Sequence, residues 1–145
     1  MRIIDFIISG FYIGYIRFAP GTISSLLFLI IYFFIPNINL YQISLLIFLL
    51  ILGFYLCFIF SRNSSVKDPS YIVIDEITGM YIAIFMLPKS IFLYSIAFVL
   101  FRLFDIYKPS IINKSQNFNY GIGIMLDDIL SGIFALVICW SIYLW

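Results

Sequence analysis

Residues 43–60 read ISLLIFLLILGFYLCFIF, eighteen positions from Ile43 to Phe60 without one charge. A helix needs about 20 apolar residues to cross the hydrocarbon of a bilayer, so this run alone nearly spans it. Four more apolar runs surround it. Thr22–Ile35 follows Pro20-Gly21 and ends at Pro36-Asn37. Tyr71–Leu87 ends at Pro88-Lys89, Ile91–Phe104 follows, and Ile129–Trp145 closes the sequence. None alternates strictly, and a bilayer admits only helices or closed barrels. A barrel would need more segments, each of about 10 alternating residues. The expected fold is therefore all-α: an integral membrane bundle of about five helices, some of them short or half-buried. No repeat or linker divides the chain, so residues 1–145 are expected to form a single membrane-embedded domain.

Composition agrees. Of 145 residues, 64% are hydrophobic and only 10% charged, against about 25% charged in water-soluble domains; mean hydropathy is +1.15. The absence of histidine excludes Ser–His–Asp triads, phosphohistidine intermediates and the usual zinc hydrolases. A net charge of +1 gives no cationic surface for nucleic acid. Cys57 and Cys139 lie inside apolar runs and are expected to be buried thiols. Arg62 follows Cys57 after four residues, one short of the C-x5-R frame of cysteine phosphatases. Asp5 interrupts the first apolar stretch and no A-x-A-like site follows it, so residues 1–17 are expected to stay with the mature chain.

With five crossings and a cytoplasmic N-terminus, Arg2, Arg17, Arg62, Lys67, Arg102, Lys108 and Lys114 share one side, and Lys89 alone takes the other. The positive-inside rule selects that orientation: a multi-pass protein of the inner, cytoplasmic membrane. It also gathers acids. Asp75 and Glu76 open the third helix, Asp105 ends the fourth, and Asp127 with Asp128 opens the fifth. Five of the seven acids thus meet the cytoplasmic boundary at one level.

Carboxylates beside membrane helices are costly, which makes function their default reading. Each cluster also has a plainer reading: Arg102 and Asp105, at i and i+3, can pair with each other, and acids suit helix N-termini. Converging carboxylates without histidine or exposed cysteine suit a hard cation, Mg²⁺ first, then Mn²⁺ or Ca²⁺. Adjacent acids on a helix point about 100° apart, so one of each pair can bind metal while its neighbour orients water or a second ion. Arg102 and Lys108 are placed to hold a phosphate, and Gly21-Thr22 to offer it backbone N–H groups. This is the chemistry of metal-assisted phosphotransfer or phosphate-ester hydrolysis on a lipid, with the active site on the cytoplasmic side. Three other solutions fail. Lipid-phosphate phosphatases need two histidines, CDP-alcohol transferases carry D-G-x2-A-R-x8-G-x3-D-x3-D, and haloacid-dehalogenase phosphatases carry D-x-D; none occurs.

Four ordered blocks carry a resemblance: Phe18-Ala19-Pro20-Gly21-Thr22 with Ser25; Ile72-Val73-Ile74-Asp75-Glu76 with Gly79-Met80; Phe101-Arg102-Leu103-Phe104-Asp105 with Lys108-Pro109; and Gly121 through Asp128 with Gly132. From about Tyr12 onward the chain resembles the phosphatidylglycerophosphatase A family. The resemblance implies a Mg²⁺-dependent membrane phosphatase that converts phosphatidylglycerophosphate to phosphatidylglycerol and phosphate. Carried over by position, Asp75, Glu76, Asp127 and Asp128 become the metal ligands. The family pattern does not fix the division of labour among the acids, and Asp105 and Asp128 are expected at the chemistry, Asp105 as a ligand or as the base for the attacking water. Arg102 and Lys108, with Thr22 and Ser25, become phosphate contacts. The chain departs from the pattern at Ser24 (usually Gly), at Lys67-Asp68-Pro69 (usually a His-containing segment) and at Ser110-Ile111 (usually Trp-Pro).

Competing expectations are a membrane binding or transport subunit whose acids line a cation pathway, a family member reduced to a scaffold, and one acting on another lipid phosphomonoester. A pathway needs polar groups near mid-bilayer, and the second helix has none.

Overall fold

The computed structural model describes residues 2–63, 69–109, 112 and 121–145. Among them are six α-helices and no strand: α1 (Arg2–Ile8), α2 (Pro20–Phe34), α3 (Asn39–Asn63), α4 (Ile74–Ala83), α5 (Ile91–Tyr107) and α6 (Ile122–Tyr143), with a 3-10 turn at Ile13–Tyr15. The all-α expectation holds, and five helices match the five apolar runs. The seven-residue α1 was not expected, being too short and too interrupted by Asp5 to read as a run.

Three boundaries differ for physical reasons. Pro20 occupies the first turn of α2, where its missing N–H costs nothing. The central helix α4 is only ten residues, about 15 Å long at 1.5 Å per residue. Its apolar run continues as turns through Leu87, whose amide reaches the Ile84 carbonyl at 3.1 Å. Nearly every residue of α4 is buried, so burial among helices rather than helicity kept that run apolar. The last helix starts at Ile122 rather than Ile129, capped by Gly121 at φ 75°. A Cβ on Gly121 would stand 2.3 Å from the Cys57 carbonyl oxygen. Only glycine lets the start of α6 sit on the last turns of α3.

α4 is enclosed by α2, α3, α5 and α6. Its partner α6 comes closest, because a Cβ on Gly132 would meet the Gly79 carbonyl oxygen at 2.4 Å, and one on Gly79 the Asp128 carbonyl oxygen at 2.7 Å. Small residues permit backbone contact that larger side chains would block. The amide of Val73 donates to the Ile8 carbonyl at 3.0 Å, which fixes the entry to α4 against α1. Deeper in, Tyr32, Tyr81 and Tyr94 are buried, and the Tyr81 hydroxyl donates to the Gln42 carbonyl on α3 at 2.9 Å. Cys57 and Cys139 are buried.

By length and composition, Asn39–Arg62 and Ile122–Tyr143 are each long and apolar enough to cross a membrane, and α2 is a shorter apolar helix. The outward residues are as apolar as the core: Ile47, Phe48, Ile51 and Tyr55 on α3, and Ile133 and Val137 on α6, are exposed. A helix apolar all round belongs either in the core of a large protein or in lipid.

Candidate active site

α2, α4 and α6 begin, and α5 ends, around one cavity of about 280 Å³. Its lining contains Asp75, Glu76, Asp105, Asp127 and Asp128, together with Arg102 and Lys108. All five carboxylates expected at one level therefore share one cavity. Of the described acids only Asp5 lies elsewhere, and among the described residues no row of acids runs down the bundle.

Within the cavity, Asp75, Glu76 and Asp128 each offer a carboxylate oxygen, and these lie within 4.8 Å of one another. Asp75 and Asp128 stand one helical turn before Gly79 and Gly132, so the glycine contact between α4 and α6 brings the two carboxylates face to face. The third is held by α2: a Cβ on Gly21 would stand 2.1 Å from Glu76 Oε1. A side chain there would have to displace the Glu76 carboxylate; with glycine, Glu76 lies against the N-terminal end of α2, where the helix dipole favours an anion. Ala19, the residue that caps α2, adopts the left-handed region at φ 44°, ψ 56°, a conformation rarely adopted by non-glycine residues. Three carboxylates this close repel strongly in a partly buried site. Glu76 Oε2 is buried with no hydrogen-bond partner among the described residues. Acid oxygens without nitrogen or sulfur donors, one of them unsatisfied, fit a hard divalent cation.

The two bases are tethered. Arg102 Nη1 lies 2.8 Å from Asp105 Oδ2, the i, i+3 pairing that the spacing allows. Its Nε is buried and makes no hydrogen bond among the described residues. Lys108 Nζ sits 2.5 Å from Asp127 Oδ2. Burial works against the Lys108 ammonium, but the hydrogen bond and charge of Asp127, helped by Asp105 and Asp128, outweigh it and hold the lysine pKa above its ordinary value.

Asp127, expected among the metal ligands, is thus placed apart from the three-carboxylate group and against Lys108. The 100° step between neighbours on α6 sends Asp128 to the acids and Asp127 to the base. Thr22 and Ser25, expected at the phosphate, do not line the cavity. The Ser25 hydroxyl donates to the Gly21 carbonyl at 2.7 Å and that of Ser24 to the same oxygen at 2.9 Å; both are buried a turn below the cavity. At Ser24, where the family usually has glycine, the added hydroxyl is satisfied within its own helix. Pro69 lines the cavity, whereas Lys67, Asp68, Ser110, Ile111 and Lys114 lie outside the described residues. What the motif spacing left unread was Asp-x3-Gly, present twice as Asp75…Gly79 and Asp128…Gly132, the signal for the close helix pair that builds the site.

Fold and site together define a helical protein that gathers five acids and two bases in one cavity at one end of an apolar bundle. The profile of the phosphatidylglycerophosphatase A family matches residues 6–143, and the chain belongs to that family; it is a phosphoric monoester hydrolase. It is 36% identical over 140 residues to a phosphatidylglycerophosphatase A of Haemophilus influenzae, covering 94% of this chain and 86% of that one. It is 34% identical over 129 residues to the phosphatidylglycerophosphatase A of Escherichia coli, covering 87% and 75%. A Bacteroides thetaiotaomicron protein provisionally named a phosphatidylinositol-3-phosphatase is 34% identical over 141 residues, covering 90% and 87%. No solved structure matches the chain.

Proposed function

We propose that this protein hydrolyses phosphatidylglycerophosphate to phosphatidylglycerol and inorganic phosphate with Mg²⁺, as a multi-pass protein of the inner membrane whose cavity faces the cytoplasm. The observation that carries the reading is the meeting of Asp75, Glu76 and Asp128 within 4.8 Å in a cavity that also holds Arg102 and Lys108. Support for the membrane comes from the length and apolarity of α3 and α6. Support for the orientation comes from the bases: Arg62, Arg102 and Lys108 lie at the cavity end, while Lys89 Nζ donates to the Phe33 carbonyl at 2.8 Å and to that of Ile35, at the far end of α2.

Asp75, Glu76 and Asp128 would hold Mg²⁺, which when bound supplies charge neutralisation and Lewis acidity at a phosphoryl oxygen. The chain's own groups do the rest. Arg102, paired with Asp105, lines the cavity and offers a guanidinium N–H to a phosphate oxygen. Lys108 has three N–H donors, of which Asp127 takes one. Asp105, oriented by Arg102, accepts a proton from water as the water oxygen bonds to phosphorus. The ester P–O bond breaks, and the proton passes to the departing glycerol oxygen.

The test is phosphate release from phosphatidylglycerophosphate by the purified chain in detergent micelles. Release that stops with EDTA, returns with Mg²⁺ and is lost in Asp75→Asn supports the reading; release indifferent to EDTA overturns its metal requirement. The name of the Bacteroides relative favours a second reading, a phosphatidylinositol 3-phosphate substrate for the same phosphomonoester chemistry. A parallel assay on that lipid ranks the two by kcat/KM.

A further inference from the structure

We infer that Asp127 is a positioning residue for Lys108 and not a ligand of the metal, an assignment that rests on the phosphatase reading above. Both ends of the pair are constrained. Asp127 accepts the Lys108 ammonium at 2.5 Å on Oδ2 and the Asp128 amide at 3.2 Å on Oδ1, and its carbonyl takes the Ser131 hydroxyl at 2.8 Å. Lys108 ends α5 in the left-handed region, φ 40°, ψ 69°, with its amide on the Phe104 carbonyl at 2.9 Å. A lysine in that conformation is strained, and Pro109 follows it. The ion pair to Asp127 on α6 fixes the direction of its side chain.

The charges around the cavity divide accordingly. Arg102 has Asp105, Lys108 has Asp127, and the other three acids face one another. Each base that meets phosphate carries its own carboxylate, which aims it. The adjacent acids on α6 then have separate tasks: Asp128 toward the cation, Asp127 toward the substrate's phosphate through Lys108. Partners that orient a working group commonly affect its activity 10- to 100-fold.

The experiment compares the full chain with Asp127→Asn, Asp128→Asn, Lys108→Ala and the Asp127→Asn/Lys108→Ala double variant, in detergent. Mn²⁺ binding is read by electron paramagnetic resonance, and KM and kcat for phosphatidylglycerophosphate by phosphate release. Asp127→Asn should bind Mn²⁺ within about twofold of the parent while Asp128→Asn loses at least tenfold. Asp127→Asn should raise KM about 10- to 100-fold, and the double variant should be no worse than Lys108→Ala. Loss of Mn²⁺ affinity in Asp127→Asn comparable with that in Asp128→Asn overturns the assignment, as does a double variant whose losses multiply. If Asp127→Asn fails to fold, Lys108→Ala decides from the other side, since a positioning pair requires its KM to rise with Mn²⁺ binding intact. A parent that binds Mn²⁺ but releases no phosphate would defeat the phosphatase reading, while the Mn²⁺ comparison would still judge Asp127.

Discussion

Gly132 on α6 faces the carbonyl of Gly79 on α4 with no room for a methyl group, since a Cβ there would stand 2.4 Å from the oxygen. The contact lies one turn below Asp75 and Asp128, so the spacing of the two helices also sets the spacing of the two carboxylates. Gly132→Ala must push the backbones apart, because a carbonyl oxygen cannot swing aside as a side chain can. Overpacking of this kind costs about 1–3 kcal/mol. We expect a lower thermal midpoint and at least a tenfold loss of phosphate release, measured on the purified variant. Unchanged activity would show that the site tolerates a wider helix pair.

Much of this arrangement is legible in the sequence, and the limits are physical. Apolar runs mark segments kept from water, and helix direction then fixes which ends share a level; that is enough to bring Asp75, Glu76, Asp105, Asp127 and Asp128 together. Apolarity does not separate helix from buried turn, so α4 is seven residues shorter than its run. Neighbouring acids differ only in azimuth, which depends on where α5 ends; that is why Asp127 and Asp128 looked alike. Ser25 resembles a phosphate contact until its hydroxyl is seen turned back on Gly21.

Metal should report on stability as well as rate. If Asp75, Glu76 and Asp128 bind one Mg²⁺, a concentration 100 times Kd stabilises the folded chain by about 2.7 kcal/mol. The thermal midpoint should therefore rise with Mg²⁺ and fall with EDTA, and Glu76→Gln should blunt the response. A midpoint that ignores Mg²⁺ in the parent would count against these three ligands.

Ser25→Ala should leave phosphate release within about twofold of the parent. The hydroxyl serves the Gly21 carbonyl at 2.7 Å, and its removal costs a net hydrogen bond of about 1 kcal/mol in stability. Thr22→Val, also away from the cavity lining, should behave alike. A tenfold fall in either, with the fold intact by circular dichroism, would return that residue to the phosphate site.

The ion pair of Lys108 has a definite pH signature. Its pKa lies above the ordinary 10.5 in the folded chain, so its contribution is fully present below 10.5 and is lost as pH climbs through the folded value. Between pH 6 and 9 the stability gap between the parent and Asp127→Asn should be constant, and it should close only above that ordinary value. Unfolding midpoints across the series measure this. A gap that narrows between pH 7 and 9 would mean that Lys108 deprotonates far earlier than its surroundings dictate.

Lys89 provides the counter-case at the other end of the bundle. Its ammonium caps the last carbonyls of α2, with the Tyr32 oxygen at 3.3 Å and the Phe33 oxygen at 2.8 Å, where cations complement the helix dipole. Lys89→Met leaves those carbonyls short of a donor and should lower the thermal midpoint. The same variant should leave KM and half-saturating Mg²⁺ within about twofold, because the cavity lies beyond the length of α2. The position also reports topology. A cysteine placed at residue 89 should label only from outside intact cells with an impermeant maleimide, while one at Arg17 should label only after lysis. Cys57 and Cys139 are buried and should stay silent in both. Labelling of residue 17 from outside would overturn the proposed orientation.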